Sequence, residues 1–167
     1  MSATHQSTHL YPTRLDIPLE IRLFLITLLH QTLACSLDLR SQVKQAAWNM
    51  KGKDAAMLHT LCTTMAAELE AYADMVAERI AILGGEVLGT VRTVAAYSTL
   101  PEYPGAIVEG HAHALVLAEH LGYYTKAVRE AITCATDVEE AGTAAIYTDI
   151  SLRVDKQLWV LETYLHQ

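Results

Sequence analysis

Apolar residues return at three- and four-residue steps through most of the chain, with polar residues between them. That spacing predicts helices, each with one buried face. The clearest case covers 54–83. There Leu58, Leu61, Cys62, Met65, Leu69, Tyr72, Val76, Ile80 and Leu83 make one apolar stripe, with no proline or glycine inside. Asp54 is placed to cap its start and Gly84–Gly85 to end it. At about 1.5 Å per residue this helix spans roughly 45 Å. Before it, 19–48 reads as another long helix, with Ile21, Leu23, Leu25, Ile26, Leu29, Leu33, Leu37 and Val43 on a broad apolar side. Pro18 suits its first position. Lys51–Gly52 leaves room only for a short turn, which forces an antiparallel hairpin. A third helix is predicted over 109–135. A fourth runs on to 165, with Asp137 and Glu140 resembling a capping pair. The long connection over 85–110 holds a short helix at 90–97, before Pro101 and Pro104 break the pattern. The fold class is therefore all-α, a four-helix bundle with a short extra helix in its crossover.

The back of the 54–83 helix changes the picture. At about 100° per residue, His59, Thr63, Glu70, Asp74 and Glu78 share a sector away from the apolar stripe. Ala56, Ala66, Ala67, Ala77 and Ala81 fill the space between them. A solvated face normally carries more Lys, Glu and Gln; small residues let another backbone come close. This is the pattern of a second packing surface with polar groups set into it. Asp74 and Glu78 are one turn apart and can reach one cation. His59 cannot join them within its own helix, because fifteen residues of rise put it about 22 Å away. Two copies packed antiparallel about a two-fold axis near Ala67 would bring His59 of one to Asp74 and Glu78 of the other, and would build that site twice. The alternative is that the carboxylates are solvated or pair with Arg79 or another neighbour, and that His59 is a satisfied interface histidine. Spacing alone favours the alternative.

Composition narrows the class. The chain has 167 residues, 51% hydrophobic and 19% charged, enough for one domain with a full core. Polar or charged residues interrupt every apolar run short of a membrane span. The start of the chain lacks the basic and apolar regions of a secretory signal, so a cytoplasmic location is expected. Residues 1–14 read as a flexible polar tail, and 15–167 as the helical domain. The tail holds Arg14, His5 and His9 but no lysine. With a net charge of −7 per chain, direct DNA binding is not expected. Arg40, Lys44, Lys51 and Lys53 make a small basic cluster that reads as solvated surface. Cys35, Cys62 and Cys134 lack a Cys-x-x-Cys and read as core residues. His113 and His120 share a helix face but lie two turns apart, which favours a structural role over a common metal ion. There is neither a Gly-rich phosphate loop nor a Gly-x-Ser-x-Gly elbow.

Several short segments occur together: Trp48-Asn49-Met50-Lys51-Gly52, Leu58-His59, Asp74-Met75-Val76-Ala77-Glu78-Arg79 and Leu83-Gly84-Gly85. Gly89-Thr90, Tyr103-Pro104 and Asp155-Lys156-Gln157-Leu158-Trp159 continue the series. Together they resemble the Dps-type mini-ferritins, the DNA-protection-during-starvation family, over nearly all the chain after its first dozen residues. The resemblance implies a ferritin-like four-helix subunit, a hollow homo-oligomer of twelve chains built from two-fold dimers, and an iron-oxidising site shared across the two-fold. His59, Asp74 and Glu78 match its ligands. It also implies an acidic three-fold pore, for which Asp137, Glu139, Glu140 and Asp149 are candidates; Thr143-Ala144-Ala145 lacks the aspartate that often stands there. Larger ferritins hold iron at the bundle centre through Glu-x-x-His pairs, and none occurs in this chain.

The departures bear on function. Ala47 stands where the family has a histidine, Thr63 where it has an acidic residue, and Ala55 where it often has an aromatic. Two readings follow. In one, the chain binds and stores iron in a cage and detoxifies Fe(II) and peroxide through an impaired ferroxidase site. In the other, it is a shell protein, assembling or binding metal passively, that has lost iron oxidation. The donor set of two carboxylates and an imidazole suits iron, with zinc or manganese also able to fit.

Overall fold

The computed structural model describes residues 10–166. Five helices form in chain order: α1 (Leu19–Asn49), α2 (Ala55–Ile82), α3 (Val91–Tyr97), α4 (Gly110–Asp137) and α5 (Ala141–Leu165). Among the described residues the only β pairing is two isolated bridges. α1 packs along α2 and α4 along α5; α1 meets α4 and α2 meets α5 where the two hairpins join.

The bridges show which ends meet. Lys51, just before α2, pairs with Glu109, just before α4, through Lys51 N to Val108 O at 2.8 Å and Gly110 N to Lys51 O at 3.1 Å. α2 and α4 therefore start at the same end, and the crossover carries the chain back along the bundle. Gly52 turns the α1–α2 hairpin at φ 104°, in the left-handed region where glycine costs least. At the other end of α2, Gly84 (φ 86°) closes a Schellman motif: Gly85 N bonds Ile80 O and Gly84 N bonds Ala81 O, each at 2.9 Å. A side chain at Gly84 would strike the Tyr11 carbonyl at 2.6 Å. The start of the described chain is held there, with Tyr11 N bonded to Gly84 O at 2.7 Å and Leu10 packed on the core. So Leu10 and Tyr11, within the stretch expected as tail, are fixed to the domain. His5 and His9 lie outside the described residues.

The core is a continuous cluster from α1, α2, α4 and α5, including Leu25, Leu29, Leu39, Met65, Leu69, Val128 and Ile150. Each such side chain contributes about 1.5–3 kcal/mol by leaving water. Three buried tyrosines span the bundle and find partners for their hydroxyls. Tyr124 meets Ser36 at 2.7 Å, Tyr147 meets Thr32 at 3.0 Å, and Tyr72 donates to Glu68 at 3.4 Å. Helix α1 is long and apolar enough to cross a membrane by length and composition alone, with a mean hydropathy of 1.2 over 18 residues. Many of its apolar residues, among them Leu25, Ile26, Leu29, Leu33, Leu39 and Val43, are buried in the core, while Leu19 and Phe24 are exposed. Leu23, counted on the buried side, is exposed.

The helix starts differ in detail from the sequence reading. Pro18 is the residue before α1, not its first residue. Asp54 sits at the N-cap of α2 but makes no capping bond; its carboxylate instead accepts from the Tyr164 hydroxyl at 3.3 Å. Asp137 ends α4, and Glu140 alone caps α5, accepting from Gly142 N at 3.0 Å and Thr143 N at 2.8 Å.

Candidate metal centre

The outer face of the α1–α2 hairpin carries the predicted ligands. His59, Asp74 and Glu78 are all exposed on α2. Among the described residues none of the three makes an ion pair, and their side chains make no hydrogen bonds. The alternative in which Arg79 pairs with these carboxylates does not hold. Arg79 turns the other way, to Glu140 at 2.8 Å and to Thr143 Oγ1 at 3.0 Å. A step of one residue on a helix rotates the side chain by about 100°, so Glu78 and Arg79 serve different faces.

The two halves of the candidate site lie apart on one chain. His59 lines a groove of about 360 Å³ between α1 and α2, with Ala47, Trp48, Cys62, Thr63 and Glu70. The two positions that depart from the family, Ala47 and Thr63, thus sit beside His59. Neither offers a metal donor of strength: Ala47 has none, and the Thr63 hydroxyl already donates to His59 O at 2.8 Å. Asp74 and Glu78 stand about 22 Å and about 28 Å further along the helix. Within one chain, among the described residues, no three His, Cys, Asp or Glu side chains gather closely enough to hold an ion. Glu70 is bonded to Arg40 at 3.0 Å across the groove. Lys44 lies over the Trp48 ring, 5.8 Å from its centre. The basic cluster is thus partly spent on neighbours from its own hairpin. Burial pushes the Cys62 thiol at the groove floor up to about 11, so it stays protonated.

The candidate pore residues separate into two kinds. Glu140 is locked in place. Burial alone would raise its pKa, but hydrogen bonds from Thr143 and Arg79, with the Arg79 charge, outweigh burial and hold it at about 2. Asp149 is bonded to Arg153 one turn on, at 3.0 Å. Asp137 and Glu139 are exposed, and Glu139 adopts a positive φ of 58° at the α4–α5 turn.

A polar network that sequence reasoning did not assemble lies behind α1. His120 Nδ1 meets Gln42 Oε1 at 2.5 Å, and Gln42 Nε2 donates to Asp38 at 3.2 Å and to the Pro101 carbonyl at 3.1 Å. Tyr103 and His113 pair beside it at 2.6 Å. The structural role expected for His113 and His120 fits their burial. The partner of His113 comes from a proline-broken loop and that of His120 from α1, 78 residues away, so no local periodicity reveals either.

A model of the ferritin-like domain matches residues 26–167. The DNA protection during starvation protein of Agrobacterium fabrum is 34% identical over 157 residues, covering 94% of this chain and 97% of its own. Among solved structures, DpsC from Streptomyces coelicolor superimposes with a TM-score of 0.88 at 25% identity, over 93% of this chain and 91% of that one. Mycobacterium smegmatis Dps gives a TM-score of 0.89 at 22% identity, over 94% and 96%.

Proposed function

The chain belongs to the ferritin-like family, as a Dps-type mini-ferritin, and on that premise we propose that it takes up Fe(II), oxidises it with peroxide or oxygen, and stores the product in a hollow homo-oligomer. One observation carries the reading. His59, Asp74 and Glu78 are exposed and unpaired on a single helix face, too far apart to act together within one chain. A two-fold dimer through the alanine-lined face of α2 would join them, making each site from two chains, and six such dimers would close a cage of twelve. Asp74 and Glu78 would hold Fe(II) from adjacent turns, and His59 of the facing chain would complete the set. Two hard carboxylates and an imidazole suit iron. Zinc and manganese rest on the donor set alone.

The same site is short of ligands for a second iron. Ala47 leaves one position to water, and Thr63 offers a neutral hydroxyl where a carboxylate would bridge. First-ion binding should therefore survive better than paired oxidation. In this reading DNA is protected chemically, by removal of Fe(II) and peroxide in the cytoplasm, and not by duplex binding, which the charge of −7 per chain opposes. Asp137 and Glu139 are the carboxylates left to line a cation entry, since Glu140 and Asp149 have partners of their own.

Stopped-flow mixing of metal-free protein with Fe(II) and peroxide tests the reading. The double variant Ala47→His, Thr63→Asp should oxidise Fe(II) well faster than the parent, by about thirtyfold if each restored ligand lowers the barrier by about 1 kcal/mol. A parent as fast as the double variant would remove those positions from the site. A parent that does not oxidise Fe(II) at all would favour the shell-protein reading, for which Ala47 and Thr63 speak.

A further inference from the structure

Two buried side chains that the metal site does not use are joined in a way that bears on redox chemistry. Tyr103, in the crossover, and His113, in the first turn of α4, are 9% and 1% exposed. The Tyr103 hydroxyl and His113 Nδ1 are 2.6 Å apart, and the rings stack at 10° with centroids 6.0 Å apart. The bond has a favoured direction. With the imidazole proton on Nδ1, the Tyr103 hydroxyl proton and Nε2 would both lack partners. With the proton on Nε2, the hydroxyl donates to Nδ1, and only Nε2 is left without a well-formed bond. Burial lowers the pKa of His113, so the ring is neutral and free to accept a proton; the Ile107 carbonyl works the other way and favours the charged ring. Burial, with the Cys62 thiol nearby, raises the pKa of Tyr103, which therefore does not ionise unaided.

No other fully buried tyrosine has this arrangement among the described residues. Tyr124 and Tyr147 meet Ser36 and Thr32, whose hydroxyls are no bases at neutral pH, and Tyr72 meets Glu68 only at 3.4 Å. Tyr103 is also reachable. It lines a groove of about 740 Å³ between α1 and α3, along with Asp38, Gln42 and Val94. Cys62, near enough to act on the Tyr103 hydroxyl, also lines the groove that holds His59, Thr63 and Trp48.

We propose that Tyr103 and His113 form a trap for one oxidising equivalent, in which Tyr103 gives up an electron while its hydroxyl proton passes to Nδ1 of His113. The proposal rests on the iron-oxidation reading only for the source of the oxidant. Fe(II) and hydrogen peroxide give Fe(III), hydroxide and a hydroxyl radical. That radical takes the electron from Tyr103 and becomes a second hydroxide, leaving a neutral tyrosyl radical and a His113 imidazolium. A further Fe(II) then returns the electron and becomes Fe(III), and the proton goes back from Nδ1 to the phenolic oxygen. The sum is two Fe(II) oxidised per peroxide with no free radical left. A site that lacks the ligands for a second iron can in this way still deliver two electrons, one at a time.

The test begins without iron. Metal-free protein is flash-oxidised with a ruthenium tris-bipyridine and persulfate couple, and tyrosyl radical is followed by transient absorbance and electron paramagnetic resonance. Tyr103→Phe should remove most of the long-lived radical, the seven remaining tyrosines notwithstanding. His113→Asn should slow its formation by at least about 100-fold, as loss of a positioned base does. Folding is checked by circular dichroism. Independently of any variant, double resonance on the native protein in heavy water should show one strongly coupled exchangeable deuteron on the radical. An unchanged radical yield in Tyr103→Phe, or no such deuteron, would overturn the proposal. With Fe(II) and peroxide, Tyr103→Phe should release several-fold more spin-trapped hydroxyl radical than the parent. If the radical forms by light and not with iron, the iron-oxidation reading fails and the pair stands.

Discussion

Glu78 and Glu140 are two carboxylates near the same end of α2 with opposite fates. Glu140 is mostly buried, bonded to Arg79, and caps α5 through two backbone N–H groups. Glu78 is exposed, one residue from that arginine in sequence, and has no partner. The difference is geometric. The helix turns Arg79 inward to α5 and leaves Glu78 and Asp74 outward, facing the surface lined by Ala67, Ala77 and Ala81. A carboxylate with its charge already satisfied has little to offer a cation. One held unpaired beside a second, at a fixed spacing, has much more. The same contrast separates Asp149, tied to Arg153, from Asp137 and Glu139.

Removing the outward pair should have the largest effect. Asp74→Ala should abolish Fe(II) binding in anaerobic titration, both in the parent and in the variant with restored ligands. Its thermal stability should stay within about 0.5 kcal/mol, as expected for an exposed, unpaired side chain. Retained binding would mean that the iron sits elsewhere.

The inward carboxylate should behave in reverse. Glu140→Ala loses an N-cap and strands a largely buried arginine, which should cost about 2–4 kcal/mol in urea unfolding while Fe(II) binding per folded chain is kept. Its pH signature follows from its depressed pKa. The stabilisation is complete above the ordinary carboxylate value of 4.5 and is lost as pH falls towards about 2. The parent should therefore lose stability relative to Glu140→Ala across that window, and the two curves should converge at its acid end. A constant gap would show that Glu140 acts through packing and not charge.

A smaller effect is expected at the surface between the two ends. Ala67→Leu should overpack a two-fold contact through α2 and weaken association by about 1–3 kcal/mol, read by sedimentation as a function of concentration. An unchanged association constant would move the dimer contact away from Ala67.

How much of this was legible in the sequence depends on whether a feature is periodic. The helix over 54–83 is observed at Ala55–Ile82, and 109–135 at Gly110–Asp137, because apolar spacing and Gly or Pro punctuation act locally. The Gly84–Gly85 stop is visible for the same reason. Partnerships across the chain are not. Asp54 looks like a cap, yet Tyr164, 110 residues on, takes its carboxylate. Arg79 looks free to pair with Glu78 until α5 supplies Glu140. Tyr103 and His113 are only ten residues apart, but a non-helical loop joins them and no spacing rule predicts that they meet. The candidate site falls between these cases. The exposure of His59, Asp74 and Glu78 on one face follows from helical phase, whereas the chain that would complete the site is a second copy.

That second copy is the central claim, and mixing two defective chains tests it most directly. One chain carries His59→Ala and the other Asp74→Ala with Glu78→Ala, each inactive alone; they are unfolded, mixed in equal amounts and reassembled. If each site draws His59 from one chain and the carboxylates from its partner, half the dimers regain one of two sites, so about a quarter of the parent's Fe(II) oxidation should return. No recovery from well-assembled mixed dimers would contradict a site shared between subunits.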